Sequence, residues 1–153
     1  MKRISFFVTA ALVLACALSC KKSNSNPGNT GTMTDSSKSV LVKITLNPVP
    51  AANTGSFDGA ISGLLPNLKD ATWKVNGVTR SNEPTITFKQ DDFQNGLLTL
   101  EATSNVNFTT FSFGATTLSN YPYTIHIEPT INGKITDSTT IRVTSTLTRT
   151  WNW

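Results

Sequence analysis

The single histidine, His126, lies two residues before Glu128 in a stretch that alternates apolar and polar residues. Residues i and i+2 of a strand share a face, so an imidazole and a carboxylate would stand side by side with Thr124. That pair could move a proton. Hydrolysis would also need a nucleophile or a second carboxylate, and no Gly-x-Ser-x-Gly turn lies nearby. Asp91-Asp92, with Asn95 beyond, offers oxygen ligands. Adjacent residues of an extended chain point to opposite faces, which makes a poor acid–base pair. Calcium takes about six to eight oxygens, more than these residues supply, so a turn is the better reading. No His/Cys set has zinc spacing, and no Gly-rich loop is placed to cradle phosphate. The sequence thus predicts a chain that is not an enzyme, with no catalytic residues, no metal and no cofactor.

The end of the chain invites a binding role. In Thr150-Trp151-Asn152-Trp153 the two indoles fall on one face of a terminal strand. Exposed, Trp151 and Trp153 would form a flat platform of the kind that stacks on sugar rings. Turned inward, Trp151 would cap the core and Trp153 would cover its rim, as large aromatics usually do. Both readings stay open at this point.

The start of the chain is more specific. Met1-Lys2-Arg3 is a short basic segment, and Ile4 to Leu18 carries no charge and is mostly apolar. That is signal-peptide length, short of the ~20 apolar residues a spanning helix needs. It ends in Ala17-Leu18-Ser19-Cys20, which resembles a bacterial lipobox, where the cysteine is acylated and becomes the new N-terminus. Val13-Leu14-Ala15-Cys16 is an overlapping version. Cys20 is preferred, because Lys21-Lys22 ends the apolar run abruptly, whereas cleavage at Cys16 would strand Ala17-Leu18. Cys-Lys-Lys followed by Ser, Asn and Gly is similar to lipoproteins of the Bacteroidetes group. The resemblance implies two or three acyl chains, palmitate among them, and more than one chain gives durable attachment. It also implies a cell-envelope address, at the outer membrane. Surface-exported members often carry acidic residues just after the cysteine. Here the first acid is Asp35, which leaves the periplasmic and surface faces both open.

Composition narrows the rest. Of 153 residues, residues 1–19 read as signal, 20–39 as anchor and tether, and 40–153 as one domain. Lys2 and Arg3 leave with the signal, so the formal +4 falls to 11 basic against 9 acidic side chains. No basic cluster follows Lys21-Lys22, which excludes the electrostatic footprint of a nucleic-acid binder. Cys16 lies in the signal and Cys20 is the anchor, so the domain must hold together without a disulfide. The tether, Lys21 to Ser39, has Met33 as its one large apolar residue and is too polar to order itself. Its reach as a flexible coil is roughly 25 Å.

From Val40 onward the pattern has period two. Val40-Val42-Ile44-Leu46 is the inner face of a first strand, ended by Pro48 and Pro50. Ser56 to Leu64 is a second, with Gly59 and Gly63 marking bends or close packing, and Leu65 to Asp70 is a connection with room for one helical turn. Ala71-Trp73-Val75 alternates with Thr72 and Lys74 and runs into Asn76-Gly77, the strongest short hairpin signal. Val78 to Arg80, Thr85 to Phe88, Leu98 to Ala102, Phe108 to Ala115 and Tyr121 to Glu128 follow. Pro129 ends the last of these or lies on an edge. Asn132-Gly133 turns the chain into one long strand, Thr139 to Trp151. No window holds a helical period. The prediction is an all-β sandwich of about seven or eight antiparallel strands.

Thr72-Trp73-Lys74-Val75-Asn76-Gly77, Thr85-Ile86-Thr87-Phe88 and Gly96-Leu97-Leu98-Thr99-Leu100-Glu101-Ala102 together resemble immunoglobulin-like domains of the polycystic-kidney-disease type. The resemblance spans Ala71 to Ser104 and implies a core-packed Trp73 in an immunoglobulin-like sandwich. It departs at Lys74-Val75-Asn76-Gly77, where the family carries an acidic, glycine-rich turn. Such domains serve as spacers or binding modules, and fold alone does not fix function. The expectation is a non-catalytic envelope lipoprotein, a structural or protein-interaction module held to the membrane by its lipid. The alternative is a carbohydrate-binding lipoprotein using Trp151 and Trp153. Its partner is accordingly an envelope protein or a glycan, with no nucleic acid.

Overall fold

The computed structural model of the protein describes residues 36–153. The apolar leader, Cys16, Cys20 and most of the tether lie outside them. Among the described residues the chain forms eleven strands: β1 (Val40–Asn47), β2 (Gly55–Leu64), β3 (Trp73–Val75), β4 (Val78–Arg80), β5 (Thr85–Lys89), β6 (Leu97–Ala102), β7 (Phe108–Thr117), β8 (Tyr123–Ile131), β9 (Lys134–Ile135), β10 (Thr139–Val143) and β11 (Leu147–Asn152). They make two antiparallel sheets. The larger runs β10-β8-β1-β6-β3-β4, with β9 added beside β8, and the smaller runs β11-β7-β2-β5. The all-β sandwich expected from the alternating pattern is the fold of the chain.

Alternation becomes layering directly. Val40, Val42, Ile44 and Leu46 of β1 are buried, and so are Tyr123, Ile125 and Ile127 of β8, Leu98 and Leu100 of β6, and Trp73 of β3. Across the core stand Phe57 and Ile61 of β2, Ile86 and Phe88 of β5, and Phe111, Phe113 and Ala115 of β7. Burying a large apolar side chain contributes about 1.5–3 kcal/mol, and this shared core is what holds the two sheets together. Glycine permits the closest approach. A Cβ on Gly59 would lie 2.6 Å from the Phe88 ring, so that ring rests on bare backbone.

Turn chemistry is equally local. Asn76 and Gly77 have φ of 49° and 80°, and Asn132 and Gly133 have φ of 50° and 75°, the left-handed pair a two-residue hairpin requires. Asn76 does more than turn the chain. Its amide donates to Asp92 O at 2.9 Å and accepts from Thr99 N at 2.9 Å, tying the β3–β4 hairpin to the β5–β6 connection.

Three expectations are revised. Thr139 to Trp151 is two strands in opposite sheets, with Thr144-Ser145-Thr146 crossing between them. Residues facing the core from one sheet meet residues facing it from the other, so Val143 and Leu147 keep the same parity although they belong to different sheets, with the exposed Thr144-Ser145-Thr146 between them. Pro129 does not end its strand: β8 continues to Ile131 with Pro129 opposite Val42. Its carbonyl accepts from Thr136 N, so its imide nitrogen points to that same side, past the end of β9, where the one bond it forgoes is the return bond to Thr136 O and the β1 ladder is untouched. Leu65 to Asp70 holds no helical turn. It closes as a tight loop through Leu68 N to Leu65 O and Leu65 N to Lys69 O, with Asp70 bridged to Leu64.

Candidate functional site

His126 points outward from β8, between Thr45 of β1 and Thr140 of β10. Its Nδ1 lies 2.9 Å from Thr140 Oγ1. Glu128 shares that face, but its carboxylate faces the Lys43 ammonium at 3.4 Å. The two groups predicted as a possible proton pair are therefore each engaged with a neighbouring strand. A second such pair, Lys74 and Glu101 at 3.5 Å, gives the outer face of the large sheet a set of cross-strand charges.

Asp91 and Asp92 lie in a single 3-10 turn, Gln90–Asp92. Asp91 takes the Lys89 ammonium at 3.0 Å, and Asp92 Oδ2 accepts from Lys89 N at 2.8 Å. Both carboxylates close the turn locally. Among the described residues no group of three or more His, Cys, Asp or Glu converges to hold a metal.

Trp151 and Trp153 fall on the same side of β11 and pack inward. Trp151 stands opposite Phe111, with ring centroids 5.5 Å from Phe111 and 5.7 Å from Phe113. Trp153 stacks on Phe111 at 6.1 Å, and its backbone exchanges two hydrogen bonds with Thr109. Both indoles are half-buried against the core.

Sequence reasoning passed over a different constellation. Two adjoining depressions of about 260 and 290 Å³ lie where the β2–β3 and β4–β5 connections meet, and they share Asp70 and Pro84. Phe108 walls the first, and it is 45% exposed. Thr72, Asn82 and Glu83 line the second. Glu83 is held by Arg80 through a fork of 2.7 and 2.8 Å, and that hydrogen bonding keeps its carboxyl below the usual range. One local signal could have singled out Phe108. Its spacing from Phe111 is odd while that from Phe111 to Phe113 is even, so on one strand it must face the other way. Nothing local could have placed Asp70 beside it.

No family model matches the chain, and no curated protein matches it either. Among solved structures it is similar to a domain of unknown function, DUF4425, from Bacteroides vulgatus. That match has a TM-score of 0.56 at 12% identity over 77% of this chain and 94% of that one. A DUF4425 family protein from Bacteroides ovatus gives 0.58 at 10% identity over 76% of this chain and 94% of that one. The likeness is one of fold.

Proposed function

We propose that the chain is a non-catalytic lipoprotein of the cell envelope, anchored at the outer membrane through acylated Cys20, whose sandwich serves as a structural or protein-interaction module. The observation that supports the module reading is how the candidate acid–base groups are used. His126 meets Thr140, Glu128 meets Lys43 and Asp91 meets Lys89, so each is paired with a neighbour on its own surface. The anchor rests on the lipobox-like Leu18-Ser19-Cys20 after an apolar leader. Two acyl chains suffice for lasting attachment at about 0.8 kcal/mol per buried methylene.

The test is detergent phase partitioning of the chain expressed in a bacterial host, with mass measurement of the N-terminal peptide. The native chain should enter the detergent phase with a diacylglyceryl mass on Cys20, and Cys20→Ser should stay aqueous while Cys16→Ser does not. A Cys20→Ser protein still in the detergent phase overturns the anchor. Protease added to whole cells then decides between the periplasmic and outward faces.

A further inference from the structure

Five of the described phenylalanines, Phe57, Phe88, Phe93, Phe111 and Phe113, pack ring against ring in the interior. Phe108 does not. It lies on the outward face of β7, opposite Leu64 of β2, and 45% of it is exposed. The surface next to it is small and hydroxylated, with Ser62 opposite Thr85 one step along the sheet. Beside the ring stands Asp70, fixed at the exit of the tight Leu65–Lys69 loop by its bridge to Leu64 and by Ala71 N bonding Gly63 O. Asp70 is exposed and lines both depressions.

We propose that this cleft is a binding site for a neutral glycan, with one pyranose ring stacked on Phe108 and its hydroxyls donating to Asp70, and the next unit in the depression lined by Thr72 and Asn82. A sugar ring presents an apolar C–H face and a rim of hydroxyl donors. A half-exposed aromatic ring matches the face, and a carboxylate without a cationic partner matches the rim with two acceptor oxygens. Charge sets the class. The lining residues of the two depressions include no Lys or Arg, and the carboxylate of Asp70 repels phosphates and acidic sugars. A cation finds little more, because Glu83 already holds Arg80. The site does not involve Trp151 or Trp153, and it does not depend on the lipid anchor.

The test uses the full chain in detergent, titrated by calorimetry with linear hexaoses of glucose, N-acetylglucosamine, mannose and xylose, and with oligogalacturonate and spermidine. Saturable binding of at least one neutral hexaose is expected. It should weaken roughly tenfold in Phe108→Ala and in Asp70→Asn, the loss of one stacked ring or one charge-assisted acceptor, with melting temperatures unchanged. It should persist in Trp153→Phe. Binding confined to oligogalacturonate or spermidine overturns the ligand class. Neutral binding that survives both cleft variants, or that is lost in Trp153→Phe instead, overturns the site. No binding by any of the six probes overturns the proposal.

Discussion

Tyr123 shows what one side chain does in a sandwich with no covalent staple among its described residues. Its ring lies in the core and is 2% exposed, and its hydroxyl crosses to the other sheet to donate to Ser56 O at 2.7 Å. Burial, with the negative charge of Asp58 adding to it, pushes the phenol from 10.0 up to about 12. The folded state therefore holds this proton more tightly than the unfolded state does. Stability from this group is fully present below about pH 10 and is lost as the pH rises from there through 12. Urea midpoints measured across that range should fall for the native chain, while Tyr123→Phe should flatten the fall. The same variant should lose about 1 kcal/mol at neutral pH, because it removes the part-buried hydrogen bond from the Tyr123 hydroxyl to Ser56 O. An alkaline limb that is identical in both proteins would remove Tyr123 as its source.

At the scale of the strand, β11 is the element held most by aromatic packing. It is an edge strand, bonded only to β7 in its sheet, and its inner face is anchored by Trp151 between Phe111 and Phe113. Trp151→Ala should cost about 2–4 kcal/mol in urea unfolding, toward the lower part of the range for aromatic truncation because the ring is only half-buried. A loss under 1 kcal/mol would mean the indole is not a core residue. The same element marks where sequence reading stops. β1, β6 and β8 were legible, because each is a half-buried strand whose inward β-branched and leucine residues alternate with polar ones. The hairpin turns were legible from Asn-Gly pairs. The crossing after Val143 was not, since alternation reports inward or outward and is silent on which sheet. Pro129 misled for a related reason: whether a missing N–H matters depends on which side the neighbouring strand has ended. The Phe108–Asp70 cleft was legible only in its parity, because its two halves meet through the Leu64 pairings to Phe108 and Asp70.

For the whole molecule, stability rests on one apolar core shared between two sheets, with surface ion pairs adding little. The described residues contain no cysteine, and their acidic turn satisfies its own carboxylates. Neither a chelator nor a thiol reductant should therefore move the melting temperature. A shift beyond ~2 °C with either would point to a bound metal or a disulfide that contributes to the fold. The position of β1 has a mechanical consequence. The chain enters the domain past Lys38, which is bridged to Val106, and runs straight into a strand flanked on both sides, with eight register partners in β8 and five in β6. Tension applied from the N-terminal side along β1 loads both ladders at once in shear. Tension on the C-terminus meets β11, which has one neighbour and can be peeled from it one pair at a time. Forced unfolding is governed by the rate of escape, so the domain is strongest against a pull from its N-terminal side.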